Sequence, residues 1–271
     1  MGKLVVRDDL SDPMKAEVIL EEVYREVRAS YNLREACRVI GTGEALNIEI
    51  PLVTQRVSGQ QDVPELEEAE ISSQAYSHIS SKLHKNVVHI ALSREAQMEA
   101  KQDILSMHVQ DAGQEIGRME NAEIADEFSA LDSNSGSDWS ASNDPFDDIM
   151  TAATTVRENG YEPTQLWMEP GVYSALVSND DILDRLERGA TADGQLGTIA
   201  GFDIRLDQEL PDGEAYLIDP TAPAFVLFDG PEWISEYSSD TAFYDGYIIA
   251  DFLGLETVLP NAAYRLTDLL G

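Results

Sequence analysis

Basic residues are what this chain lacks. Eighteen Lys and Arg stand against 51 Asp and Glu, a formal charge of −33 over 271 residues. Lysine is the scarcer of the two, confined to Lys3, Lys15, Lys82, Lys85 and Lys101. That scarcity excludes the simplest nucleic-acid interface, because a groove that neutralises phosphates needs clustered Lys and Arg. At ordinary ionic strength so many carboxylates repel one another. In molar salt the screening length falls to about 3 Å, and such a surface holds water and hydrated cations without strong repulsion. The composition reads as that of a protein from a very salty habitat.

Other absences narrow the class further. A single cysteine, Cys37, cannot form an intrachain disulfide. With Leu33, Ala36 and Ile40 around it, it reads as a small buried hydrophobe. No stretch approaches the roughly 18 uninterrupted apolar residues of a membrane span, and residues 1–10 carry no signal-peptide core. High net charge alone would suggest disorder, but 43% of the chain is hydrophobic, which is enough to build a core. That core fits one large domain or two smaller ones.

What is present is pattern. Ser11, Asp12 and Pro13 start a helix, and Val18, Ile19, Val23, Val27 and Tyr31 give it one apolar face. A short helical piece is expected over 33–39, stopping at Gly41. Leu46, Ile48, Ile50 and Leu52 alternate as a half-buried strand. After a polar excursion over 55–70, strand character returns at 71–81 and 88–92. Two extended segments around a long polar excursion describe a protruding arm, which cannot bury itself and must lie on another subunit. Ser93 caps a long helix with Met98, Leu105, Val109, Ala112, Ile116 and Met119 along one face, expected to end near Glu120. Gly113 and Gly117 inside it suggest close approach of another backbone.

Residues 132–138, rich in Ser, Asn and Gly, read as a linker. Asp144 and Pro145 open a helix closed by Asn159 and Gly160. A strand at 165–168 meets Glu169, Pro170 and another small helix, and Ile182, Leu183 and Leu186 mark a further turn. Strands follow at 197–200, 202–206, 215–218 and 224–228. A last extended stretch, 234–259, is expected to break at Asp245, Gly246 and Gly254.

The candidate chemistry is thin. In so acidic a chain, two carboxylates at acid–base spacing carry no information. Asp132, Asn134 and Asp138 resemble the start of a calcium loop, but the glycine falls one place early at Gly136 and Asn143 stands where a bidentate Glu belongs. On strands His89 faces away from His78 and His84, and with His108 the four histidines make no metal site. Gly41, Thr42 and Gly43 lack the lysine of a phosphate-binding loop. No catalytic, cofactor-binding or metal-binding residue is assigned, and the chain is not read as an enzyme. Cation binding is expected only loosely, as Na, K, Mg or Ca at acidic interfaces.

Three stretches carry a resemblance. Residues 82–96, centred on Val87, Val88, Ile90 and Leu92, resemble the strand leading into the spine helix of HK97-type major capsid proteins of tailed viruses. Residues 165–176, with Trp167, Glu169, Pro170 and Tyr173, look like the strand, proline and helix of that family's axial domain. Residues 194–204, with Gly194, Gly197, Gly201 and Phe202, are similar to its most recognisable run. The resemblance implies an α+β, HK97-like capsid fold with an N-terminal arm (1–45), an extended two-stranded loop, or E-loop (46–81), and a peripheral domain with the spine helix (82–138). An axial domain (139–225), peripheral strands (226–259) and a C-terminal return (260–271) complete it.

The same resemblance implies self-assembly into pentamers and hexamers of an icosahedral shell that encloses double-stranded DNA without reading its sequence. The partners implied are copies of the chain, a scaffold, a portal and decoration proteins, with no membrane. The shell would be part of a virion assembled in the host cytoplasm, the host being a halophilic archaeon or bacterium. An encapsulin-like compartment holding an enzyme cargo is the alternative on the same fold. A soluble halophilic enzyme would need a concave site that the sequence does not advertise. Two departures from the family pattern stand out. Some members cross-link through a lysine in the extended loop, and residues 47–81 contain none. Some carry a long scaffolding region, and here about ten residues precede the first helix, so assembly is expected to use a separate scaffold or none.

Overall fold

Both periods in the sequence resolve into paired layers in the computed structural model, which describes residues 33–55, 75–95, 104–140, 144–179, 182, 198–222, 224–239 and 243–270. The helix expected from Pro13, the polar excursion beyond Gln55 and the turn of Leu183 and Leu186 lie outside those residues.

The described chain begins with a 3-10 turn, Leu33–Ala36, and strand β1 (Arg38–Gly41). The helix expected over 33–39 is therefore corrected: Val39 and Ile40 are β-branched residues that suit a pleated strand. β2 (Asn47–Gln55) and β3 (Ala75–Lys82) pair antiparallel, from Asn47↔Lys82 to Gln55↔Ala75. β4 (His84–Ser93) follows, and the Glu95 N–H donates to Ser93 Oγ at 3.2 Å where helical backbone begins. Helix α1 covers Ile104–Phe128, about 37 Å at 1.5 Å per residue. It ends at Phe128 and not near Glu120, because Ile124, Ala125 and Phe128 continue the buried face. Gly113 and Gly117 are both on that buried side.

A five-stranded sheet is organised around one long strand. β10 (Phe225–Asp229), β11 (Trp233–Ser239) and β12 (Tyr244–Thr257) give the order β1-β10-β12-β11, with β4 on the free side of β12. β1 runs parallel to β10, and β4 pairs with β12 over ten residues. β12 runs for 14 residues through Gly246 and Gly254, correcting the breaks expected there. At Gly246 the glycine serves packing: a Cβ would fall 2.4 Å from the Tyr237 ring and 2.6 Å from the Ile90 carbonyl oxygen. α1 lies on this sheet through Val109, Ala112 and Ile116 against Ile90, Leu92, Tyr247 and Ile249.

The second sheet has six strands. In chain order they are β5 (Ser133–Ser135), β6 (Gln165–Met168), β7 (Thr198–Ile199), β8 (Phe202–Leu206), β9 (Ala215–Ile218) and β13 (Ala263–Thr267), arranged β5-β13-β9-β6-β8-β7. Helices α2 (Pro145–Glu158) and α3 (Pro170–Ser178) pack on it through Ile149, Ala153, Val172 and Leu176. Asp144 caps α2 by accepting from the Phe146 N–H at 3.1 Å, and Glu169 caps α3 by accepting from the Val172 N–H at 3.2 Å. Between β7 and β8, Ala200 and Gly201 both have positive φ, the pattern of a tight two-residue hairpin.

The linker expected at 132–138 is corrected as well. Ser133–Ser135 run parallel to Arg265, Leu266 and Thr267, and the Gly136 and Trp139 N–H groups donate to Thr267 and Leu269 carbonyls. Turn-forming residues accept strand geometry where a neighbouring edge supplies the hydrogen bonds. A shared core joins the two sheets, where Phe128 stacks on Phe225 at 4.5 Å and tilts against Tyr216 at 5.4 Å. Aromatic pairs of this kind add about 0.5–1.5 kcal/mol beyond the area they bury.

Candidate functional site

The β2–β3 pair is a two-stranded ribbon separate from both larger sheets. Among the described residues each strand pairs only with the other. Its root is fixed: Ile48 and Ile50 pack against Leu83, Val226 and Phe228, and the Leu83 N–H donates to the Leu46 carbonyl at 3.0 Å. On the opposite face and further along, Glu49, Pro51, Ser77 and His78 are exposed. Lys82 pairs with Asn47 at the root, and Lys85 is exposed on β4.

A second surface lies on the five-stranded sheet, on the face turned away from α1. Strand register sets Trp233, Ala250 and Val87 in one row across β11, β12 and β4. Trp233 is 51% exposed and Val87 40%. The His89 ring meets the Tyr237 ring at 4.6 Å, and Tyr237 meets Tyr244 at 5.7 Å. β11 and β4 each use one edge on β12 and, among the described residues, pair with no other strand. Strand edges without a described partner, beside exposed Trp233 and Val87, are the kind of surface that meets another polypeptide.

Ion pairs tie the elements together. Arg34 makes a two-pronged contact with Glu120 of α1 and reaches Asp229 at 3.1 Å. His84 Nε2 lies 2.7 Å from Glu123, and the Asn86 amide donates to the same carboxylate at 3.0 Å. Arg94 clamps Asp245 at the start of β12 at 2.8 Å. Arg265 grips Glu214 and donates to the Ser129 carbonyl, pinning β13 to the end of α1. Asp148 accepts from the Ser137 N–H, the Ser137 hydroxyl and the Trp139 indole.

The residues weighed for chemistry are not brought together. His84 is engaged by Glu123 and His89 by Tyr237, while His78 and His108 are exposed on β3 and α1. Asp138 accepts from the Ser140 N–H and hydroxyl, and Asn134 sits within β5. Burial pushes the Cys37 thiol up to about 12, with Glu120 adding and Arg34 opposing. Among the described residues no group of three His, Cys, Asp or Glu is placed to hold a metal, and no helix is long and apolar enough to cross a membrane. An open cleft lies between Gln114 and Arg118 of α1 and the turn of Asp207, Gln208 and Glu209, where Arg118 is held by Glu115 and Glu209.

Sequence reasoning missed two residues that the structure makes conspicuous, Glu120 and Asp251. Both are buried carboxylates, on the faces of α1 and β12 that meet. The signal was there as an acid at an apolar step of each period, four residues after Ile116 and two after Ile249.

A family model described as phage capsid protein matches residues 85–261, well over half the chain. Among solved structures, the capsid of a native GTA particle superposes with a TM-score of 0.70 at 13% identity, over 98% of this chain and 94% of that one. A virus-like particle from Pyrococcus furiosus gives 0.65 at 12% identity, over 93% and 99%. The capsid of cyanophage P-SCSP1u gives 0.68 at 14% identity, over 86% of each chain. At such identities the likeness is one of fold. No curated protein matches the chain by sequence.

Proposed function

The chain belongs to the phage capsid protein family, and from that premise we propose that it is a major capsid protein forming pentamers and hexamers of an icosahedral shell around double-stranded DNA. The HK97-like α+β fold and a structural, non-enzymatic role in a viral capsid come with the family match and its structural neighbours. One observation carries the finer reading: a β2–β3 arm, rooted at Ile48 and Ile50, with no strand partner in its own subunit among the described residues. A ribbon of two strands is marginal alone in water, so a neighbouring subunit is what it needs. Copies of the chain are then the first partners, with scaffold, portal and decoration proteins as further ones.

The charge of −33 supports a host that lives in high salt, and loosely held cations between acidic subunits. A packaging motor loads DNA into a shell that has only to enclose it, so a carboxylate-rich wall does not need to bind it. The family match favours this role over a cargo-storing compartment. Electron microscopy of the protein purified in molar salt tests the reading. Closed icosahedral particles are expected, carrying DNA when recovered from an infected host. Dispersed monomers under those conditions, or particles that hold a single cargo enzyme, would refute it.

A further inference from the structure

The apolar rows that hold α1 on the five-stranded sheet are each interrupted by one carboxylate. On α1, Val109, Ala112 and Ile116 are followed by fully buried Glu120 before Ile124 resumes the row. On β12, Tyr247 and Ile249 are followed by Asp251, 1% exposed, before Leu253. Glu120 is matched by Arg34, which also holds Asp229. Asp251 has no such match: both of its carboxylate oxygens are shielded from solvent and have no hydrogen-bond partner among the described residues. Among the described residues, Arg34 thus already engages two neighbouring carboxylates, and neither oxygen of Asp251 bonds to it. A buried carboxylate left unpaired favours its neutral form.

We propose that Asp251 is a proton-operated latch: protonated, it closes the seam between α1, β12 and the turn carrying Arg34, and ionised, it loosens that seam and the hold on residues 33–41. The inference rests on the geometry of the subunit and not on the shell reading. Among the described residues, the groups at or beside the seam are Glu120 and Glu123 of α1, Asp229 and Glu232 in and after β10, Arg34 and Cys37 of the N-terminal segment, and His84 of β4. Burial first, then Glu120, Asp229 and Glu232, push the Asp251 carboxyl up to about 7, with Arg34 opposing. The closed form therefore binds the proton more tightly than the open one. Closure is strongest below the ordinary carboxylate range, weakens as pH rises toward about 7, and is level above it. Within that window each pH unit changes the balance by up to about tenfold.

Hydrogen exchange of the full chain, read by mass spectrometry on peptides covering 33–41, 116–124 and 247–253 and corrected for intrinsic rates, tests this. Between pH 5 and pH 8 protection should fall about tenfold or more in the wild type, and less than about threefold in Asp251→Asn. His84→Gln removes the histidine beside the seam and should keep the wild-type dependence. Equal slopes in the wild type and D251N, or loss of the dependence in H84Q, would overturn the latch. Should D251N fail to fold, isotope-edited infrared of wild-type chain labelled at aspartate carboxyls decides. A protonated band persisting at pH 6 supports the latch, and complete ionisation of every aspartate at that pH refutes it.

Discussion

Arg34 shows how much one side chain can hold. It joins the first described turn to α1 through Glu120 and to β10 through Asp229. Glu120 is fully buried, so removing the Arg34 guanidinium takes away a two-pronged contact that compensates its charge in the interior. Replacing Arg34 by Met is expected to cost about 3–5 kcal/mol, read as a lower urea midpoint, and adding Glu120→Gln should recover part of it. Asp219 works through pH in the opposite sense to Asp251. Burial raises its carboxyl, but the Thr221 hydroxyl and the N–H groups of Glu162, Thr221 and Ala222 outweigh that and hold it below the usual range. Its stabilisation is present above the ordinary carboxylate pKa and lost as pH falls through the lower folded value. Asp219→Asn should therefore lower stability near neutral pH, with the gap to wild type closing in strong acid. A gap of constant size across that range would contradict the assignment. Asp219 was not legible as special in the sequence, and Asp251 showed only as an acid at an apolar step of β12. Among 51 acids, one more looks like surface until burial is known.

Elements were legible where their signals are local. Asp144 before Pro145 and Glu169 before Pro170 mark helix starts within a few residues, and both caps form. Alternation at Ile48 and Ile50, or at Phe202 and Ile204, likewise becomes β2 and β8. β1 and β5 were not legible, because each is a strand only by virtue of a partner far along the chain, β10 for one and β13 for the other. Glycine misled the reading of β12 for a similar reason. Gly246 looked like a break, whereas it makes room for the Tyr237 ring and the Ile90 carbonyl. Since the Ile90 oxygen is backbone and cannot swing aside, Gly246→Ala is expected to destabilise the sheet by about 1–3 kcal/mol. Thermal unfolding checks this, and an unchanged midpoint would mean the strand has slack that the packing does not show.

At the scale of the whole molecule, charge and arm decide what can be observed in bulk. A shell repeating −33 charges per subunit should come apart when salt is lowered and the screening length grows to about 10 Å at 0.1 M. Millimolar divalent cations should rescue part of the loss by bridging carboxylates, and light scattering across a salt series follows both effects. Equal stability in molar salt and in dilute buffer with chelator would count against it. Covalent cross-linking is a separate matter. Residues 47–81 carry no lysine, and Lys82 stands at the root of the arm opposite Asn47. Particles should therefore dissolve into single 29.9 kDa chains on a denaturing gel, and a ladder of larger species would refute this. The pairing of β4 with β12 has one more consequence, set by the ribosome. β4 is complete at residue 93, and its only strand partner among the described residues does not begin until 244. At roughly 5–20 residues per second, those 150 or so residues take about 8–30 s to synthesise. Through that interval β4 waits without this ladder, and a chain terminated before residue 244 never acquires it. Truncated chains ending before β12 are therefore expected to lack the five-stranded sheet's central strand and to be left out of assembled particles, which co-expressing a chain stopped at residue 240 with the full chain would check.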